Sequence, residues 1–184
     1  MRTRMSQVLM PLAGAGLLVL GLIALSKAAR DQLRQHERYS LAFGDIDCAT
    51  PPGLERTDFL AEVQYLAQLP DRLPALDQDT PARLAAAFAR HPWVERVEAV
   101  RVLPPDRVRV GLTFRTPALA VPQPHGTRVV DAHGVLLPVG APAQGLPVFR
   151  GSAGPPAGLA GEPWGDPAVA AAAAAAASQA HAEP

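Results

Sequence analysis

The side chains able to do chemistry are few, and their spacing does not bring them together. Five histidines (His36, His91, His125, His133 and His181) show no ligand spacing, and no two stand four apart on one helix. Cys48 is the single cysteine. A metal centre needs three or four such groups converging, so no metal is expected. One cysteine also excludes an internal disulfide framework. Asp45 and Asp47 read as solvated loop-edge carboxylates. Asp131, in Asp131-Ala132-His133-Gly134, reads as a turn aspartate bonding its own backbone. No GxSxG elbow, no GxxxxGK[ST] loop and no GxGxxG after a strand occurs. The expectation is a chain that is not an enzyme and takes neither a cofactor nor a small-molecule substrate.

Arginine is the more suggestive residue type. Arg101, Arg107, Arg109 and Arg115 form a basic stripe, and seven basic residues face three acidic ones between positions 83 and 115. Nucleic acid is nevertheless not an expected partner. Stacking aromatics are missing around the stripe, and 17 Lys+Arg balance 17 Asp+Glu over 184 residues. Strand alternation explains the arginines as a wet face.

The elements that must carry these residues follow from pattern. Residues 39–46 alternate imperfectly and read as a first strand. Residues 57–69 read as a helix capped by Thr57, with Phe59, Val63 and Leu66 on one face and Pro70 and Pro74 ending it. Asp79-Thr80-Pro81 opens a second helix to about Arg90. Trp93 follows His91-Pro92 as a core anchor at a helix–strand corner. Residues 96–103 and 107–115 read as a hairpin, with Val108, Val110, Leu112 and Phe114 inward and Arg107, Arg109, Gly111, Thr113 and Arg115 outward. Residues 127–137 are a second hairpin signal around Asp131–Gly134. Residues 141–166 are rich in Gly and Pro and read as irregular. Asp166-Pro167 starts a last helix containing eight consecutive alanines, residues 170–177, which offer little to bury.

Ahead of this body lies a basic leader. Residues 5–26 carry no charge, and 22 residues reach roughly 33 Å as a helix, enough for a hydrocarbon core. The expectation is a transmembrane helix over residues 8–26. It follows a short tail (residues 1–7) and precedes a charged stalk (residues 27–38). A cleaved leader ending near Ala24-Leu25-Ser26 is the rival reading. Flanking charge leans toward a cytoplasmic C-terminal side.

Four stretches in order resemble the FtsQ/DivIB family of cell-division proteins: the apolar leader; HPWVERVEAVR (residues 91–101); LPPDRVRVGLTFRTPALA (residues 103–120); and VDAHGV (residues 130–135) with LPVFRG (residues 146–151). GEPWGD (residues 161–166) also fits. The resemblance implies an α+β fold: a POTRA-like β-α-α-β-β domain over residues 39–116, a partial β domain over 117–151, then a Gly/Pro-rich segment and Ala-rich helix over 152–184. It implies a single-pass protein of the cytoplasmic membrane, with its N-terminus in the cytoplasm and its body outside, against the charge count. It implies a non-enzymatic scaffold in septum assembly that touches membrane lipid through the leader and recruits division proteins. FtsB and FtsL are among those, although the family's later strands that bind them are not in these 184 residues.

A POTRA sheet also implies that the third strand is central and that residues 96–103 lie at an edge. Unpaired backbone there can accept a partner strand. The candidate edge residues are Val97, Glu98, Ala99, Val100, Arg101 and Val102, with Glu98, Val100 and Val102 on one face and Val97, Ala99 and Arg101 on the other. The alternative function is a POTRA-containing envelope protein for export or outer-membrane assembly.

Overall fold

The computed structural model describes residues 21–22, 25–26, 40–74, 77–103 and 107–180. In chain order these form β1 (Ser40–Ala42), a 3-10 turn (Phe43–Asp45), β2 (Asp47–Cys48), α1 (Arg56–Ala67), β3 (Arg72–Pro74) and α2 (Thr80–Ala89). Then come β4 (Val94–Leu103), β5 (Arg107–Phe114), β6 (Pro117–Gln123), β7 (Gly126–Asp131) and α3 (Pro167–Ala180).

The architecture is α+β, but the expected transmembrane helix is corrected. Among the described residues no helix is long and apolar enough to cross a membrane. The longest helix among the described residues, α3, has 14 residues and reaches about 21 Å, short of the roughly 30 Å of a hydrocarbon core. Of residues 8–26 only Gly21, Leu22, Leu25 and Ser26 are described; the tail (1–7) and the stalk (27–38) lie outside the described residues.

The first strand is also corrected: it is two short pieces. β1 pairs antiparallel with β3 through Leu41↔Leu73, whereas β2 pairs parallel with β5 through Asp47↔Arg109. The 3-10 turn between them accounts for the imperfect alternation. It lets Leu41, Phe43 and Ile46 all bury, at 1%, 1% and 0% exposure, a spacing of two then three that a flat strand cannot give. β3 falls where the prolines suggested only a loop. Its partner β1 is too short to announce it by pattern.

Helix ends differ from the sequence reading in their chemistry. α1 starts after Glu55 with no side-chain cap. The Arg56 guanidinium turns back instead, donating to the Ile46 carbonyl at 2.8 and 3.2 Å and so tying α1 to the 3-10 turn. The helix ends at Gln68 in the left-handed region, φ 52°, before Pro70 is reached. At the start of α2, Asp79 makes no cap bond. Buried Thr80 donates its hydroxyl to the Pro74 carbonyl at 2.7 Å, fixing α2 to the end of β3.

Strands β2, β5 and β4 form one sheet in that order, with β5 central. Its inner face, with α1 and α2, encloses an aromatic core. Phe59 lies between Phe88 (ring centroids 5.9 Å apart) and Phe114 (5.7 Å), and Phe43 stacks on Phe88 at 6.2 Å.

The second unit is the β6–β7 hairpin. Ala120 bridges Val148 in parallel and Val130 bridges Leu136 in antiparallel fashion, so residues near 148 and 136 extend the sheet on both sides. On one face Leu119, Val121, Val130 and Leu136 pack with Trp164 and with Val169, Ala173 and Ala176 of α3. The alanines allow close approach rather than bulk: Ala173 is fully buried. Asp166 caps this helix as read, accepting from the Ala168 amide at 2.8 Å. On the other face Trp93, 4% exposed, joins Val129 and Leu137 with Phe114 against them. The tryptophan is thus a core anchor, and its cluster reaches from the first unit into the second.

Candidate functional site

β4 is a ten-residue strand with β5 on one side and, among the described residues, no strand on the other. An edge of that length presents a row of unpaired main-chain groups. The pairing with β5 slips twice. Val94↔Phe114 is followed by Arg96↔Thr113, and Val97↔Leu112 by Ala99↔Gly111, so Glu95 and Glu98 are extra residues on β4. From Ala99 to Leu103 the register is unbroken, against Gly111 to Arg107. Bulges blunt an edge, so its addable part is confined to residues 99–103.

The second bulge corrects the expected faces. Val97, Val100 and Val102 all pack on the core side, while Glu98, Ala99 and Arg101 are exposed. An extra residue at Glu98 moves Val97 onto the face of Val100, which strict alternation cannot anticipate.

The outward face of the sheet carries three rows. Asp47, Arg109 and Arg101 are in register across β2, β5 and β4, and Arg109 Nε donates to Asp47 Oδ2 at 2.8 Å. Ala99 and Gly111 face each other in the next row, where there is almost no side chain. Beyond them Glu98 Oε1 accepts from Thr113 Oγ1 at 2.6 Å and from Arg96 Nη2 at 2.7 Å. These bonds, the Thr113 hydroxyl first, hold the Glu98 carboxyl below its ordinary pKa. The middle row is a trough of about 310 Å³ whose rim includes Asp47, Arg101 and Arg109.

Arg115 does not belong to this wet face. Its side chain is 16% exposed and donates from Nη1 to Asp131 Oδ2 at 2.7 Å. Asp131 Oδ1 accepts from the His133 and Val135 amides at 2.8 and 2.9 Å. The turn reading of Asp131 therefore holds, with an ion pair that sequence reasoning missed. The Arg115 amide also donates to the Trp93 carbonyl at 2.8 Å, so this clamp fixes the start of β4 against the second unit. Its only sequence signal was an arginine directly after the last inward residue of β5, which periodicity assigned to solvent.

Two other reactive groups are accounted for structurally. His91 is 1% exposed; its Nδ1 accepts from the Trp93 amide at 3.3 Å, so Nε2 carries the proton toward Glu62 Oε2 at 3.0 Å. Burial pushes its pKa below the usual histidine value, with Glu62 opposing. Burial likewise pushes the Cys48 thiol up to about 11, with Arg56 opposing. Such a thiol is a poor nucleophile. Among the described residues no three His, Cys, Asp or Glu side chains are grouped to hold a metal ion. No protein-family model matches this chain, and no curated protein matches it.

Proposed function

We propose that this chain is a non-enzymatic scaffold of bacterial cell division, similar in role to FtsQ/DivIB, that recruits division proteins at the outer side of the cytoplasmic membrane. The carrying observation is the open edge of β4 in a three-stranded sheet backed by two helices. A partner segment adds there as a fourth strand. Main-chain bonds along residues 99–103 supply affinity, and Val100, Arg101 and Val102 with the neighbouring Val97, Glu98 and Ala99 set which side chains fit. Reactive side chains support this reading by their burial: His91 is inside the fold and Cys48 is a suppressed thiol. The second unit braces the edge through Trp93 and the Arg115–Asp131 pair.

The test is a fluorescent fusion of the full chain, followed through division. Recruitment to midcell is expected for the wild type, and loss of it for Val100→Pro or Arg101→Pro with the fold kept by circular dichroism. Uniform envelope signal for the wild type, or undiminished midcell signal for folded proline variants, overturns the proposal.

A further inference from the structure

The row Asp47–Arg109–Arg101 is electrostatically incomplete. Arg109 and Arg101 stand directly opposite each other on neighbouring strands, the placement in which like charges repel. Asp47 meets Arg109 at 2.8 Å, and Arg101 bonds to no neighbour among the described residues. Arg107 adds a third exposed guanidinium on the same face of β5. Beyond position 38 the rest of the sequence is net acidic, with 15 Asp+Glu against 11 Lys+Arg, so this face is a positive spot on a negative body. Beside the arginines lies the Ala99/Gly111 trough, and exposed Leu103 stands next along β4.

We infer that this outer face is a carboxylate-reading site for an extended acidic segment of a partner protein. A Glu or Asp of that segment sits between Arg101 and Arg109 and completes the alternation of charge across the sheet. A guanidinium fork takes a carboxylate through two parallel bonds, which fixes direction as well as affinity. The narrow floor of Ala99 and Gly111 admits the segment's backbone beside the arginine wall. A membrane surface fits the site less well: the cations line a concavity, and Asp47 at its rim, with Glu98 in the row beyond, repels a continuous anionic plane. Nucleic acid finds no stacking partner there among the described residues: exposed Tyr65 belongs to α1, in the helical layer behind the sheet.

This site goes beyond edge addition, because it reads side chains rather than backbone. The test is titration of the full chain with a fluorescein-labelled alternating glutamate–valine peptide and its lysine–valine counterpart, read by anisotropy at low and physiological salt. The acidic peptide is expected to bind, to weaken with salt, and to lose about tenfold or more in affinity on Arg101→Glu. Gly111→Val narrows the floor and is expected to weaken it several-fold. The Cβ position at Gly111 meets Glu98 Cβ at 3.5 Å, ordinary contact, so a first side-chain carbon fits there, and circular dichroism of the variant checks that the fold is kept. Equal binding of both peptides, an unchanged Arg101→Glu, or Arg101-dependent binding to phosphatidylserine vesicles in place of the peptide overturns the inference. Arg101→Glu keeps every main-chain group of β4. A division partner lost on Val100→Pro but kept on Arg101→Glu therefore overturns the carboxylate site and leaves edge addition standing.

Discussion

Replacing Asp131 tests whether the clamp at the start of β4 holds the two units together. The carboxylate is 2% exposed and has three partners: Arg115 Nη1 at 2.7 Å and the His133 and Val135 amides at 2.8 and 2.9 Å. Asp131→Ala leaves a guanidinium at 16% exposure without its counter-ion and orphans two turn amides. Breaking a buried pair from one side and stranding such donors costs about 4 kcal/mol. Asp131→Asn keeps one oxygen for the two amides but turns an NH2 donor toward Arg115, so the ion pair and its hydrogen bond are lost, at about 2 kcal/mol. Against a domain stability of roughly 5–15 kcal/mol, the alanine variant lowers Tm by about 10 °C. Urea unfolding of the full chain measures both, with fluorescence from Trp93 in the joining cluster and Trp164 in the second core. Arg115→Met combined with Asp131→Ala recovers part of the loss, because no unpaired charge is left inside. An Asp131→Ala cost below about 1 kcal/mol, or an Asp131→Asn variant as stable as the wild type, refutes the clamp.

Three further outcomes follow from burial. The His91 pKa is lowered in the fold, so the unfolded chain binds a proton more readily and stability drains away as pH falls below 6.5; urea midpoints between pH 7 and 5 show this slope, and His91→Gln flattens it. With its thiol at about 11 against an ordinary 9.0, Cys48 alkylates with iodoacetamide at pH 8 at least about tenfold more slowly in the folded chain than in urea, the smaller thiolate fraction being partly offset by its greater nucleophilicity, as followed by mass spectrometry. Ala173→Leu overpacks the α3 contact and costs about 1–3 kcal/mol, whereas Ala175→Leu on the exposed side is close to neutral; thermal melts of the pair show whether the alanine-rich helix is docked.

The elements that were legible were those whose side chains repeat. Val108 and Val110 alternate cleanly, and both are buried in the central strand. Phe59 and Val63 mark the α1 face, and Asp166-Pro167 marks the start of α3. What escaped was non-periodic. Glu98 looks like any outward strand residue, yet as a bulge it turns Val97 inward, because pairing register depends on the partner strand. Arg115 continued the outward stripe by count, but its salt bridge lies 16 positions away in a turn. β1 and β3 are three residues each, too short for any period to register. The row that links Asp47 to Arg109 and Arg101 needed a parallel pairing across 62 positions, which sequence spacing cannot supply.

Site-specific photo-crosslinking in dividing cells tests most directly whether division partners grip the exposed backbone along β4. A benzophenone side chain placed at Ala99 or Leu103 samples the open edge, and one at Tyr65, 83% exposed on α1, serves as the reference. Adducts with division proteins are expected from positions 99 and 103, and they are expected to vanish when Val100→Pro is added. Adducts formed only from position 65, or edge adducts that persist through the proline, contradict edge addition.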